Sequence, residues 1–152
     1  MLRAKDVMQT EVISLRPEMT LRQAAALLAE ANITGAPVVS RDGDIVGVLS
    51  QTDFIRHAVE AEYSSYFQAG FYHEIPLMNE DTFLRDAQSG NTRVEELMNP
   101  FVVTASPEDT VPELARSLRQ HGFHRLIIAE NKKLLGIVST LDLLKVLEEL
   151  EH

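Results

Sequence analysis

Apolar positions recur along this chain with two different periods, and the whole pattern occurs twice. Leu21, Ala24, Ala25, Leu28 and Ala31 stand at helical spacing, as do Val111, Leu114, Ala115 and Leu118, so each set predicts one buried helix stripe. Thr20 with Gln23, and Thr110 with Glu113, fit the capping box, in which the Thr oxygen takes an orphan backbone N–H. Asn32 and Gly122 stand at the equivalent helix ends, and both tolerate the left-handed conformation that stops a helix. Nearly uninterrupted apolar runs follow. Ala36–Val39 and Ile45–Ser50 flank Arg41-Asp42-Gly43-Asp44, and Leu126–Ala129 and Leu134–Ser139 flank Glu130-Asn131-Lys132-Lys133. Each pair reads as a β-hairpin, with Asp-Gly the stronger turn signal and Asn-Lys the weaker. The lack of polar interruption predicts strands covered on both faces. A second helix closes each pattern. It spans Asp53–Ala61 with Phe54, Ile55, Ala58 and Val59 inward, then Leu141–Leu150 with Leu143, Leu144, Val146 and Leu147 inward. Ahead of each first helix lie a short amphipathic turn, Ala4–Met8 or Val94–Met98, and a β-type segment, Val12–Ser14 or Val102–Thr104.

The two patterns superpose at an offset of 90 residues, falling to 89 after the shorter second turn. Met8/Met98, Pro17/Pro107, Thr20/Thr110, Leu28/Leu118, Gly47/Gly136, Ser50/Ser139 and Asp53/Asp142 are identical pairs. They fall at turns, helix starts and apolar stripes, where a shared fold selects them. The predicted fold class is α+β, two tandem β-α-β-β-α repeats packed with pseudo-twofold symmetry. The expected division is residues 1–62 for the first repeat, 63–91 for an insert and 92–150 for the second repeat. The insert is aromatic-rich, with Tyr63, Tyr66, Phe67, Phe71 and Tyr72. It reads as an extended helix with a surface loop, or as a lid or dimer contact, since exposed aromatics usually cover something. Leu150-Glu151-His152 read as the start of a purification tag.

Composition narrows the function classes. A net charge of −9 argues against a general nucleic-acid binder, which needs a basic face. It leaves room for a small anionic ligand held by a few local cations. With no cysteine, disulfides, thiolate metal sites and Cys nucleophiles are excluded. No apolar run approaches the roughly 18 residues that span a bilayer, and no signal peptide is apparent. The expectation is a cytoplasmic protein without membrane insertion. P-loop, GxGxxG, HExxH and GxSxG motifs are missing. The five His residues are scattered, and no carboxylates form an acid–base constellation. The expectation is therefore no enzyme, no catalytic residue, no metal site and no required cofactor.

Gly47-Val48-Leu49-Ser50-Gln51-Thr52-Asp53 and Gly136-Ile137-Val138-Ser139-Thr140-Leu141-Asp142, each after the same β-α-β prelude, resemble a tandem pair of CBS domains, the Bateman module. The resemblance covers both repeats and leaves out the insert and the tail. It implies a regulatory sensor that binds an adenosine-containing ligand (AMP, ADP, ATP or S-adenosylmethionine) in clefts between the repeats, as in energy sensing. It also implies a flat homodimer and an effector that is a separate protein. The alternative is a structural dimerisation module with vestigial clefts.

On this resemblance Asp53 and Asp142 receive the ribose, whose two neighbouring hydroxyls match a carboxylate's two acceptor oxygens. Ser-x-x-Asp also reads as a helix N-terminal cap, and the two roles are compatible. Ser50 and Thr52 offer hydroxyls to a phosphate beside a helix N-terminus. In the second copy Ser139 is kept but Leu141 replaces Thr52, so the two sites are expected to be inequivalent. Gly122-Phe123-His124-Arg125 resembles the segment of AMP-activated protein kinase γ subunits in which a His-Arg pair reaches ligand phosphates. Arg125 brings fork geometry and His124 a charge when protonated. The bland reading of Arg125 is an exposed loop cation, and its assignment to one site or the other is open. The first copy has Ile33 and Thr34 at this place, without a cation. Ser14 and Thr104, on the β-type segments, are expected near an adenine. Ile33, Val48, Phe123 and Ile137 are expected either to wall its slot or to serve as ordinary core.

Overall fold

The computed structural model of the chain describes residues 1–59 and 92–150. The aromatic segment 63–91, the terminal Glu151-His152 and the side chains of Ala58 and Val59, all singled out above, lie outside the described residues. The chain forms two compact units: Ile13–Val102, and Val103–His152 together with Met1–Val12.

In the unit Ile13–Val102, helix α2 (Leu21–Ala31) leads into the antiparallel hairpin β1 (Gly35–Val39) and β2 (Ile45–Ser50), then helix α3 (Gln51–Val59). Both halves of the α2 capping box are made. Thr20 N–H donates to Gln23 Oε1 at 3.0 Å, and Gln23 N–H to Thr20 Oγ1 at 3.1 Å. Asn32 ends the helix at φ 60°, ψ 43°. The first β-type segment is shorter than expected, a single parallel bridge from Leu15 to Val38. The core is Leu15, Leu21, Ala24, Ala25, Leu28, Ala36, Val38, Leu49, Phe54 and Val94.

The other unit repeats this plan. It contains α5 (Val111–His121), β4 (Arg125–Glu130), β5 (Lys133–Ser139) and α6 (Thr140–Leu150). The short strand β3 (Thr104–Ala105) runs parallel to β4, and β4 pairs antiparallel with β5. Thr110 Oγ1 accepts from Glu113 N–H at 3.3 Å, and Gly122 ends α5 at φ 69°. The tight turn holds Asn131 at φ 52° and Lys132 at φ 67°, the two left-handed residues that a two-residue hairpin demands. Its core is Ala4, Leu114, Leu118, Leu126, Ile128 and Val138.

A short helix from elsewhere in the sequence completes each unit. Helix α1 (Ala4–Val7) joins the second repeat, with Ala4 N–H donating to Asp109 O at 2.7 Å and Lys5 N–H to Pro107 O at 3.0 Å. Its counterpart α4 (Val94–Leu97) joins the first repeat, with Val94 N–H donating to Met19 O at 2.8 Å and Glu95 N–H to Pro17 O at 3.0 Å. Residues 1–62 taken in series are therefore not one packing unit, because the opening turn packs with the second repeat.

Two expectations about burial need correction. Strand β1 is buried throughout, but β5 buries only Gly136 and Val138, the period-two pattern of a strand covered on one face. On α6, Leu144 and Leu147 are 52% and 59% exposed instead of inward. Val146 and Leu143 alone of the expected four turn to the core. A helical stripe and a surface stripe have the same period, so spacing does not separate them.

Candidate functional site

The two Gly-h-h-Ser-x-x-Asp segments occupy equivalent places, running from the last strand of a hairpin into the first turn of a helix. Their glycines have a spatial cause. A Cβ on Gly47 would stand 2.8 Å from Met98 Sδ and 2.9 Å from Asn99 O, and one on Gly136 2.7 Å from both Met8 Sδ and Gln9 O. The hydrogen side chain lets the segment behind α4 or α1 lie against the strand. There Val48 exchanges both backbone hydrogen bonds with Asn99, and Ile137 with Gln9.

At the first motif Asp53 is 3% exposed. Ser50 N–H donates to its Oδ2 at 2.8 Å, and Ser50 Oγ lies 3.4 Å from the same oxygen. Oδ1 accepts from Arg56 Nη2, also at 2.8 Å. Ser50 and Thr52 are buried with their hydroxyl oxygens 2.6 Å apart, sharing a hydrogen bond. Burial pushes the Asp53 carboxyl up to about 6, against the Ser50 hydrogen bonds and the Arg56 guanidinium, which hold it down.

At the second motif Ser139 N–H donates to Asp142 Oδ2 at 2.8 Å and Ser139 Oγ to the same oxygen at 3.0 Å. Asp142 N–H donates back to Ser139 Oγ at 3.2 Å. The capping role is thus present in both copies, and in both it uses Oδ2. The outer contact differs. Gln9 Nε2 donates to Asp142 Oδ1 at 3.1 Å and lies 3.4 Å from Oδ2. Asp142 is half-buried and lines a pocket of about 420 Å³ with Met8, Gln9, Lys145 and Glu149.

The other expected site residues are distributed around these motifs. His124 O accepts from Thr140 N–H at 3.0 Å, as Thr34 O does from Gln51 N–H at 2.9 Å, so both adjoin the first turn of the motif helix. Arg125 pairs in register with Ser139 on β4 and β5. Phe123 and His124 line a separate groove of about 510 Å³ with Leu118, Thr140, Leu143 and Leu147, not the pocket at Asp142. Phe123 also stacks on His121 at 5.0 Å. Val48 is buried and Ile33, partly buried, packs against the core. Ser14 and Ile137 are half-buried, and Thr104 is exposed.

Sequence reasoning missed Gln9 and Arg56. A signal existed. At the offsets of the repeat, Gln9 corresponds to Asn99 and Arg56 to Lys145, so both copies carry a polar residue behind the conserved Met and a cation three residues after the Asp.

Comparison with known proteins identifies the fold. MJ1225, an uncharacterized protein of Methanocaldococcus jannaschii, is 22% identical over 143 residues, 94% of this chain and 42% of that protein. The chain thus spans less than half of that relative. A solved structure of CBSX2 in complex with AMP superposes at a TM-score of 0.72 with 20% identity, covering 100% of both chains. The CBS domain pair of MJ0100, solved with 5′-methylthioadenosine and S-adenosyl-L-methionine, gives 0.64 with 17% identity over 97% of both chains. The CBS domain model matches residues 4–60 and again 94–149, and the chain belongs to the CBS domain family as a tandem pair.

Proposed function

We propose that this chain is a regulatory module that binds an adenosine-containing ligand reversibly and passes the binding to a separate effector protein. The observation that carries the reading is Asp142. Ser139 pins its Oδ2, and the half-buried residue lines a polar pocket where its Oδ1 accepts from the Gln9 amide. A carboxylate fixed in this way offers Oδ1 to ribose hydroxyls without first being ordered. Two fold neighbours, one solved with AMP and one with 5′-methylthioadenosine and S-adenosyl-L-methionine, support the ligand class. The remaining residues expected at the ligand, among them Ser14, Thr34, Thr104, His124, Arg125 and Ile137, belong to this proposal. So does the absence of catalysis.

A homodimer belongs to it as well. Leu141, Leu144, Leu147 and Leu150 leave α6 with an apolar exposed stripe, the kind of surface that a partner covers. The same stripe favours the second reading, a dimerisation module whose ligand clefts have lapsed. No helix among the described residues is long and apolar enough to cross a membrane.

Thermal unfolding with AMP, ADP, ATP, S-adenosylmethionine and a guanine nucleotide control separates the readings. A ligand at 100 times its Kd stabilises the fold by about 2.7 kcal/mol, a shift of several degrees. Asp142→Asn keeps an acceptor for the Ser139 cap and should abolish the shift without lowering the basal Tm. No shift with any adenosyl ligand on folded protein would move the function to the dimerisation module.

A further inference from the structure

The two carboxylates on which the proposed function rests are not equally available, and the cause is one arginine. A carboxylate has about four lone-pair positions. In both motifs the backbone and hydroxyl of the preceding Ser take Oδ2, which leaves Oδ1 for a ligand. At Asp53 that oxygen accepts a charge-assisted hydrogen bond from Arg56 at 2.8 Å, a class roughly twice as strong as neutral bonds. The pair is screened from water, with side-chain exposures of 5% for Asp53 and 23% for Arg56. Withdrawing the guanidinium would leave a buried charge unpaired until a ligand arrived. The neighbouring hydroxyls of Ser50 and Thr52 bond to each other, so they too must rearrange before they can serve a ligand.

At Asp142 the corresponding position holds a neutral amide, Gln9 Nε2, at 3.1 Å. Exchanging one neutral donor for a ribose hydroxyl at a half-buried residue is nearly balanced. Lys145, which stands where Arg56 stands, makes no ion pair with Asp142 among the described residues and lines the pocket instead. Asn99, which stands where Gln9 stands, does not reach Asp53. Its Oδ1 accepts from Phe101 N–H at 3.0 Å.

We infer that Arg56 acts as an internal plug on the Asp53 motif, so that the chain takes its first adenosyl ligand at Asp142 and a second only by displacing the guanidinium. The ranking rests on the adenosyl reading and adds to it which site fills first. It also reverses the order suggested by Leu141, since the motif that lacks the Thr hydroxyl is the open one.

Titration of ¹⁵N-labelled protein with AMP, and separately with S-adenosylmethionine, tests it on the unmodified chain. The amide signals of Ser139, Thr140 and Asp142 should move and saturate at one equivalent, while those of Ser50, Thr52 and Asp53 stay in place until ligand is in large excess. In Arg56→Gln the second set should respond at ligand concentrations lower by about tenfold or more, with the first set unchanged. If Ser50 and Asp53 respond first, or together with Ser139 and Asp142, the ranking is wrong whether or not the variant folds. A folded Arg56→Gln without that gain also overturns the plug. No movement of either set with either probe removes the adenosyl reading itself, a result distinct from a reversed order.

Discussion

Around Asp53 the polar groups turn on one another. Ser50 caps the carboxylate, Thr52 bonds to Ser50, and the half-buried Arg56 neutralises what remains, with Ser50, Thr52 and Asp53 buried. Around Asp142 the same cap is made, but among the described residues the outer oxygen accepts from an amide, at a pocket wall. One seven-residue pattern is thus closed on itself in one copy and open at a pocket in the other. The motif alone specifies the cap. The residue three positions on, and the segment that lies across the strand, specify whether the cap has an oxygen to spare.

The largest effect that should separate the two copies lies just behind the carboxylates. Phe54 is 1% exposed in its core, whereas its counterpart Leu143 is only partly buried. Phe54→Ala should cost about 3–5 kcal/mol and Leu143→Ala clearly less, as read from urea unfolding midpoints. Equal losses would mean that the two units close equally tightly.

Next comes pH. The folded-state Asp53 carboxyl sits near 6, above its ordinary value of 3.8, so between these values the folded chain binds the extra proton. The contribution is fully present below about pH 4 and is lost as pH rises through 6. The full span is of the order of 3 kcal/mol. Urea midpoints for the parent and Asp53→Asn should diverge over this window, the parent losing more stability as pH rises. Parallel curves would show that Asp53 is not held in a dry site.

The smallest effect should be nearly symmetric in stability and unequal in binding. Gly47→Ala and Gly136→Ala each force a Cβ against backbone and a Met side chain, an overpacking cost of about 1–3 kcal/mol. Only Gly136→Ala should also weaken AMP binding in calorimetry, because it displaces Met8 and Gln9 from the wall of the Asp142 pocket. Equal loss of binding in both variants would erase the distinction between open and closed motifs.

Much of the architecture is legible in the residues because it depends on local chemistry. Thr20 and Gln23 announce the start of α2, and Asn32 and Gly122 the helix ends, since each acts on its own turn. The hairpins follow from Gly43 and from Asn131-Lys132, all found at positive φ. The candidate site was half legible. Ser-x-x-Asp marked both carboxylates, and repetition in register gave the marking its force. Gln9 stayed hidden because it lies 133 residues from Asp142, and local patterning carries no information over that distance. Arg56 stayed hidden for another reason: a cation on a helix reads as a solvated face until burial of its neighbour is known. Leu144 and Leu147 were misplaced because an apolar stripe does not say whether its cover comes from the same unit.

The short helix α1 gives the chain an order of birth. Ile13–Val102 holds every segment of its unit, so a translating ribosome releases that unit complete. Met1–Val12 emerges before that unit, yet its docking surface on Val103–His152 does not exist until α6 has been made. At about 5–20 residues per second, Gln9 waits on the order of ten seconds for Asp142. The Asp142 pocket is therefore assembled after the closed Asp53 motif, and residues 1–12 wait through the synthesis of residues 13–102 for the surface they dock on.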